Sequence, residues 1–122
     1  MRKALFVICL VLFCSVAAYG QATPTSKLGW TQGAPTLADA QAYTYKYYPD
    51  GSVTGVQFSI VTCAGTVSPF DCTTAFPAFT PGNHTIQISA SNIAGEGEKS
   101  DPLSFNFVVT PEKTGTPFIT NK

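Results

Sequence analysis

The polar and apolar positions of this chain alternate most cleanly between Thr85 and Asn92. Ile86, Ile88 and Ala90 fall on one face, and Thr85, Gln87, Ser89 and Ser91 on the other. A period of two with hydroxyl and amide groups opposite aliphatic ones predicts a half-buried antiparallel strand. Beyond a loop containing Gly95, Gly97 and several charges, Leu103, Phe105, Phe107 and Val109 resume the alternation, so the two runs predict a hairpin. Pro81-Gly82-Asn83 supplies a turn ahead of it, because Pro presets φ while Gly and Asn tolerate positive φ.

Upstream, Leu28–Gln32 also alternates and predicts the first firm strand, with Trp30 as a core anchor. A surface platform for stacking sugar is the other use of a lone Trp, but large aromatics in small β domains are more often buried. Gly33–Gln41 reads as a loop with one helical turn over Thr36–Ala40. Ala42–Tyr48 reads as a strand with Tyr43, Tyr45 and Tyr47 on one face and Thr44, Lys46 and Tyr48 on the other. The tyrosine row is read as core with hydroxyls reaching the rim, in preference to a sugar-stacking strip. Pro49-Asp50-Gly51-Ser52 predicts a hairpin turn. Val56, Phe58 and Ile60 then predict a strand over 55–62 that leads into Cys63. Cys72–Phe79 reads as a short strand, and Pro77 places it at a sheet edge. Strands near 28–32, 42–48, 55–62, 72–79, 84–92 and 102–110 predict an all-β protein of two antiparallel sheets packed face to face. Pro111–Lys122 reads as a mobile tail.

Several of these residues together resemble a fibronectin type III domain of the immunoglobulin-like β-sandwich superfamily. Pro81-Gly82, the ring at His84, Ile86, Ile88, Ala90, Asn92, Gly95, Gly97 and Ser100 resemble its last two strands. Leu28 and Trp30 resemble its second-strand tryptophan motif, and Tyr43 and Tyr45 its third strand, so the likeness spans about 28–109. In that family a tyrosine stands where this chain has His84 and bonds backward to backbone. The resemblance implies that His84 locks the same corner through a ring N–H. It also implies a recognition or spacer module whose binding loops map to Gly33–Gln41 and Ile93–Lys99. Pro35, Thr36, Asp39, Glu96, Glu98 and Lys99 are the candidate contacts there. The family has a full strand ahead of its tryptophan, for which this chain has little room.

The N-terminus changes the charge balance. Met1-Arg2-Lys3 precedes an apolar run over 4–16, and Ala18-Tyr19-Gly20 offers small residues for cleavage before Gln21, the pattern of a secretory signal peptide. The run is shorter than the ~20 residues of a membrane span, and Phe13 is wrong for lipidation at Cys14. The expected layout is therefore a leader over 1–20, a polar lead over 21–27, a sandwich over 28–110 and a tail over 111–122. Loss of Arg2 and Lys3 leaves five lysines and no arginine against seven acidic residues, a net charge of −2. That excludes a basic face for nucleic acid and disfavours anionic membranes. Cys63 and Cys72 are the cysteines that remain. In an exported chain they most simply form one disulfide; a metal pair lacks partners, and a redox pair is usually spaced more closely.

Little in the sequence points to catalysis. No nucleophile elbow is present, the acids all fall in turns, loops or the tail, and a small sandwich offers little concavity. His84 is the sole histidine, with no accomplice visible in the sequence. Glu96, Glu98 and Asp101 are dense, but Lys99 sits among them and the spacing fits no calcium loop. No cofactor is expected. Asn83-His84-Thr85 fits an N-glycosylation acceptor, and no Arg-Gly-Asp tripeptide supports integrin-type cell adhesion. The expectation is a non-enzymatic, secreted, periplasmic or surface-exposed module that recognises an extracellular protein or carbohydrate. The alternative is a structural subunit that self-associates through an open sheet edge or through Thr116–Thr120 of the tail.

Overall fold

A computed structural model of the chain describes residues 20–121. Apart from Gly20, the expected leader lies outside the described residues. The strands are β1 (Gly20–Ala22), β2 (Lys27–Gln32), β3 (Thr44–Pro49), β4 (Val56–Gln57), β5 (Thr62–Ala64), β6 (Phe70–Ala75), β7 (Gly82–Asn92), β8 (Gly95–Glu96) and β9 (Leu103–Phe107), with one helix, α1 (Leu37–Ala42). They form two sheets. The larger runs β1-β9-β7-β3-β4, with β8 folded back on β7, and the smaller runs β2-β6-β5. Neighbours are antiparallel throughout, except that β1 lies parallel to β9.

The spine is β7. Its inward residues Ile86 and Ile88 are buried, with Ala90 packed beside them, as the period-two pattern requires. From the same sheet come Ala22, Tyr45, Phe105 and Phe107. From the facing sheet come Leu28, Cys63, Phe70 and Cys72. These side chains make one contiguous core between the two layers. Trp30 joins it from β2, half-buried, with its ring 5.8 Å from Phe58 and 5.3 Å from Tyr45. An aromatic group at the other end links Phe76, Phe79, Phe105 and Phe107.

Four elements differ from the sequence expectation. The run over 55–62 is not one strand: β4 pairs with β3 in the larger sheet, and β5 pairs with β6 in the smaller. The chain changes layers between them, so Phe58 packs inward while Val56 and Ile60 are exposed. Second, β6 begins at Phe70 and is the central strand of its sheet. Pro77 lies beyond its end, where it costs no ladder bond. Third, Ala42 ends α1 and β3 starts at Thr44. Fourth, Gln21 and Ala22 are not merely a polar lead, because they pair with Asn106 and Phe107.

Helix α1 is short and held at both ends. Thr36 caps it, accepting from the Asp39 N–H at 3.2 Å while its own hydroxyl donates to Asp39 Oδ2 at 2.9 Å. Gln41 donates to the Cys63 carbonyl at 3.2 Å, and Ala40 is fully buried. Residues 111–121 pair with no strand among the described residues and are exposed.

Candidate functional site

Strand β7 pairs with different neighbours along its two halves. Gly82–Ile86 pairs with β9, and Ile86–Ser91 pairs with β3. Beyond Ile86 the β9 side has no strand until the two-residue β8 pairs with Ser91 and Asn92. A loop replaces β9 there: the Ser100 hydroxyl accepts from Ile88 N–H at 2.9 Å, Ser100 N–H donates to the Ile88 carbonyl, and Gly97 N–H donates to the Ala90 carbonyl. The backbone is satisfied, but no inward side chains fill the space. A cavity of about 510 Å³ opens there. Its apolar surface comes from Trp30, Tyr43, Ile88 and Ala90, and its polar rim from Gln32, Ser91, Asn92, Glu98 and Ser100. A concave surface with aromatic walls and a few amides and hydroxyls suits recognition.

The loop that closes this cavity is pinned from outside the sandwich. Tyr48 and Ser89 both donate hydroxyl hydrogen bonds to Glu96 Oε2 on the outer face of the larger sheet. Lys99 Nζ lies 4.1 Å from the Tyr48 ring centroid, in cation–π contact. The hydrogen bonds from Ser89, then Tyr48, hold the Glu96 carboxyl below its usual range, and the nearby Lys46 and Lys99 act in the same sense. The bond to Glu96 is the main cause that raises the Tyr48 phenol. Gly55 lies against the Tyr48 ring; a Cβ there would come within 2.7 Å of it.

At the opposite end, His84 binds two partners. Nε2 donates to the Thr80 carbonyl at 2.7 Å, four residues back, and Nδ1 lies 2.8 Å from Asp50 Oδ2. The other Asp50 oxygen accepts from Thr85 N–H at 3.0 Å. Asp50 takes φ +50° in the β3–β4 turn, a conformation Asp tolerates. The bond to Asp50, then that to Thr80, raises the imidazole above its usual value. The Thr85 N–H, then His84, lowers the Asp50 carboxyl. The Thr80 hydroxyl is 3.3 Å from Nε2, completing a hydroxyl–imidazole–carboxylate order. Nε2 directs its hydrogen to the carbonyl, so in this arrangement it has no lone pair free to take the hydroxyl proton.

Cys63 and Cys72 form a disulfide across directly opposed positions of β5 and β6, with Cα atoms 4.0 Å apart. The Tyr45 hydroxyl reaches over it to the Ala40 carbonyl at 2.7 Å, and burial, aided by Tyr43, pushes that phenol up to about 12.

The cavity therefore brings together Trp30, Gly33, Tyr43, Glu96 and Glu98. Pro35, Thr36 and Asp39 do not line it: Thr36 and Asp39 cap α1, while Lys99 covers Tyr48. Asn83 is exposed on β7, cross-strand from Asn106. Sequence reasoning missed Gln32, Asn92, Tyr48, Ser89 and Asp50. Tyr48 and Glu96 stand far apart in the chain, and no local spacing announces such a pair. Asp50 was legible only as a turn residue.

The class these features define is an all-β, two-sheet, disulfide-linked protein with an open end. Compared with protein-family models, curated proteins and solved structures, the chain matches none of them. Among the described residues no helix is long and apolar enough to cross a membrane.

Proposed function

We propose that this chain is an exported, non-catalytic binding or spacer module of the fibronectin type III-like kind, recognising an extracellular protein or glycan at the cavity beside β7. The cavity carries the proposal, because it joins the predicted loop over 93–99 to the tryptophan and tyrosine of β2 and the α1–β3 junction. The two-layer arrangement, the residue pattern and the backward bond of His84 support the fold type. The disulfide supports an oxidising compartment. Trp30 is the sole tryptophan and lines the cavity, so its emission reports occupancy. Titration with neutral oligosaccharides and with soluble extracellular matrix proteins should give a saturable change for one of the two classes. That change should weaken in Gln32→Ala and Asn92→Ala. A ligand that binds equally well when both rim residues are replaced contradicts the proposal, as does emission unchanged across both panels.

The second reading, a structural subunit, has an observation of its own. Among the described residues β2 has a neighbour on one side only, and the tail leaves Phe118 and Ile119 83% and 89% exposed. Sedimentation that stays monomeric at high protein concentration would sink it.

A further inference from the structure

We infer that the open edge of β2 receives residues Thr116–Thr120 of a second copy of this chain as an added antiparallel strand, in one register; the inference rests on the structural-subunit reading above.

The edge is defined by its backbone. Phe76 N–H donates to the Ser26 carbonyl, one step beyond the register that pairs Lys27 with Ala75. Along an antiparallel ladder the bonded positions recur every second residue, so Leu28, Trp30 and Gln32 direct their groups to β6. Lys27, Gly29 and Thr31 direct theirs away, toward a side on which β2 has no strand among the described residues. These three residues are exposed, whereas Leu28 is buried and Trp30 and Gln32 are half-buried. Trp30 and Gln32 also line the cavity, so the unpaired edge and the apolar slot lie side by side.

The tail has the matching pattern. Thr114–Asn121 carries no charge and includes Phe118 and Ile119, both exposed in the single chain. Pro117 has no N–H, so it can stand in such a strand only where its nitrogen faces away from β2. That leaves Thr116, Phe118 and Thr120 to bond Thr31, Gly29 and Lys27 respectively. Antiparallel pairing in this register sets Phe118 across from Gly29. A Cβ at Gly29 would meet only the Cys72 carbonyl and the Thr73 methyl, each at 3.6 Å, which leaves outer-face room for a ring. Thr116 opposes Thr31, a favourable cross-strand pair. On the inner face Pro117 opposes Trp30 and Ile119 opposes Leu28, so both apolar side chains of that face turn toward the core.

The direction of the added strand identifies its source. Val108 N–H bonds the Ala22 carbonyl, so the tail departs at the end of the sandwich where β2 begins. By its shortest course the chain's own tail would run along β2 in parallel. The antiparallel register is open to the tail of another molecule.

The experiment mixes two single variants of the full chain, Thr31→Cys and Thr116→Cys, under mild oxidation, beside a mixture of Thr31→Cys with Thr114→Cys. All three threonines are exposed, and the native disulfide is verified by peptide mapping. A several-fold excess of linked heterodimer in the first mixture is expected, as is loss of concentration-dependent sedimentation when residues 111–122 are removed. Equal linkage in both mixtures overturns the register. Association that survives the truncation overturns the role of the tail while leaving the structural-subunit reading intact. A monomer at every concentration overturns both.

Discussion

The two halves of β7 carry the same alternation and end in opposite conditions. Over Gly82–Ile86 the strand lies between β9 and the Asp50 turn, its inward side packed by Phe105 and Phe107. Over Ile88–Asn92 the β9 side is taken by a loop and the two-residue β8, which satisfy the backbone but add no core side chains, and a cavity results. Hydrogen-bond satisfaction and close packing are thus separate requirements. The first half meets both; the second meets only one, and there the molecule has a surface to offer.

The sharpest break in this contrast comes from the packed half. Phe105→Ala removes a buried ring packed edge-on against Phe76 and Phe79, and should cost about 3–5 kcal/mol in denaturant unfolding. The equivalent truncation at the open half, Tyr43→Ala, should cost distinctly less because Tyr43 is only half-buried at a cavity wall. Equal costs would erase the distinction. Replacing Cys63 and Cys72 together by Ala should lower stability by roughly 2.5–3 kcal/mol on the chain-entropy account, measured the same way. Gly55→Ala forces the Tyr48 ring aside, with an expected loss of about 1–3 kcal/mol. It should also loosen the Glu96 loop, visible as faster amide exchange at Gly97.

The smallest effect concerns pH. The raised imidazole of His84 contributes stability that is full below about pH 6.5 and lost as pH rises through its folded value. The lowered carboxyl of Asp50 contributes above about pH 3.9 and loses its effect as pH falls through its folded value. Stability of the closed end should therefore peak between these limits, and Asp50→Asn should flatten the profile. A profile unchanged by that substitution would remove the pair from the account. Asp50 is half exposed, and solvent screening of the pair should keep the amplitude small.

The packed half was largely legible in the chain, and the open half was not. Period-two runs located β2, β3, β7 and β9, because one face of each meets the core. The same reasoning failed over 55–62, where residues that alternate in sequence cross between layers instead of staying in one. It misplaced Pro77, since the end of a strand and the edge of a sheet leave the same local mark. In the cavity, Trp30 and Tyr43 were readable as large aromatics of a β domain. Gln32, Asn92 and the Tyr48–Ser89–Glu96 clasp depend on contacts between distant segments, for which the sequence has no local signal.

Residue-resolved hydrogen exchange on the dilute chain tests the unpaired edge of β2 most directly. An open edge predicts slow exchange at Leu28, Trp30 and Gln32, whose N–H groups face β6, with fast exchange at Lys27, Gly29 and Thr31. Uniform protection along β2 under dilute conditions would contradict it, because a neighbour would then already occupy that edge.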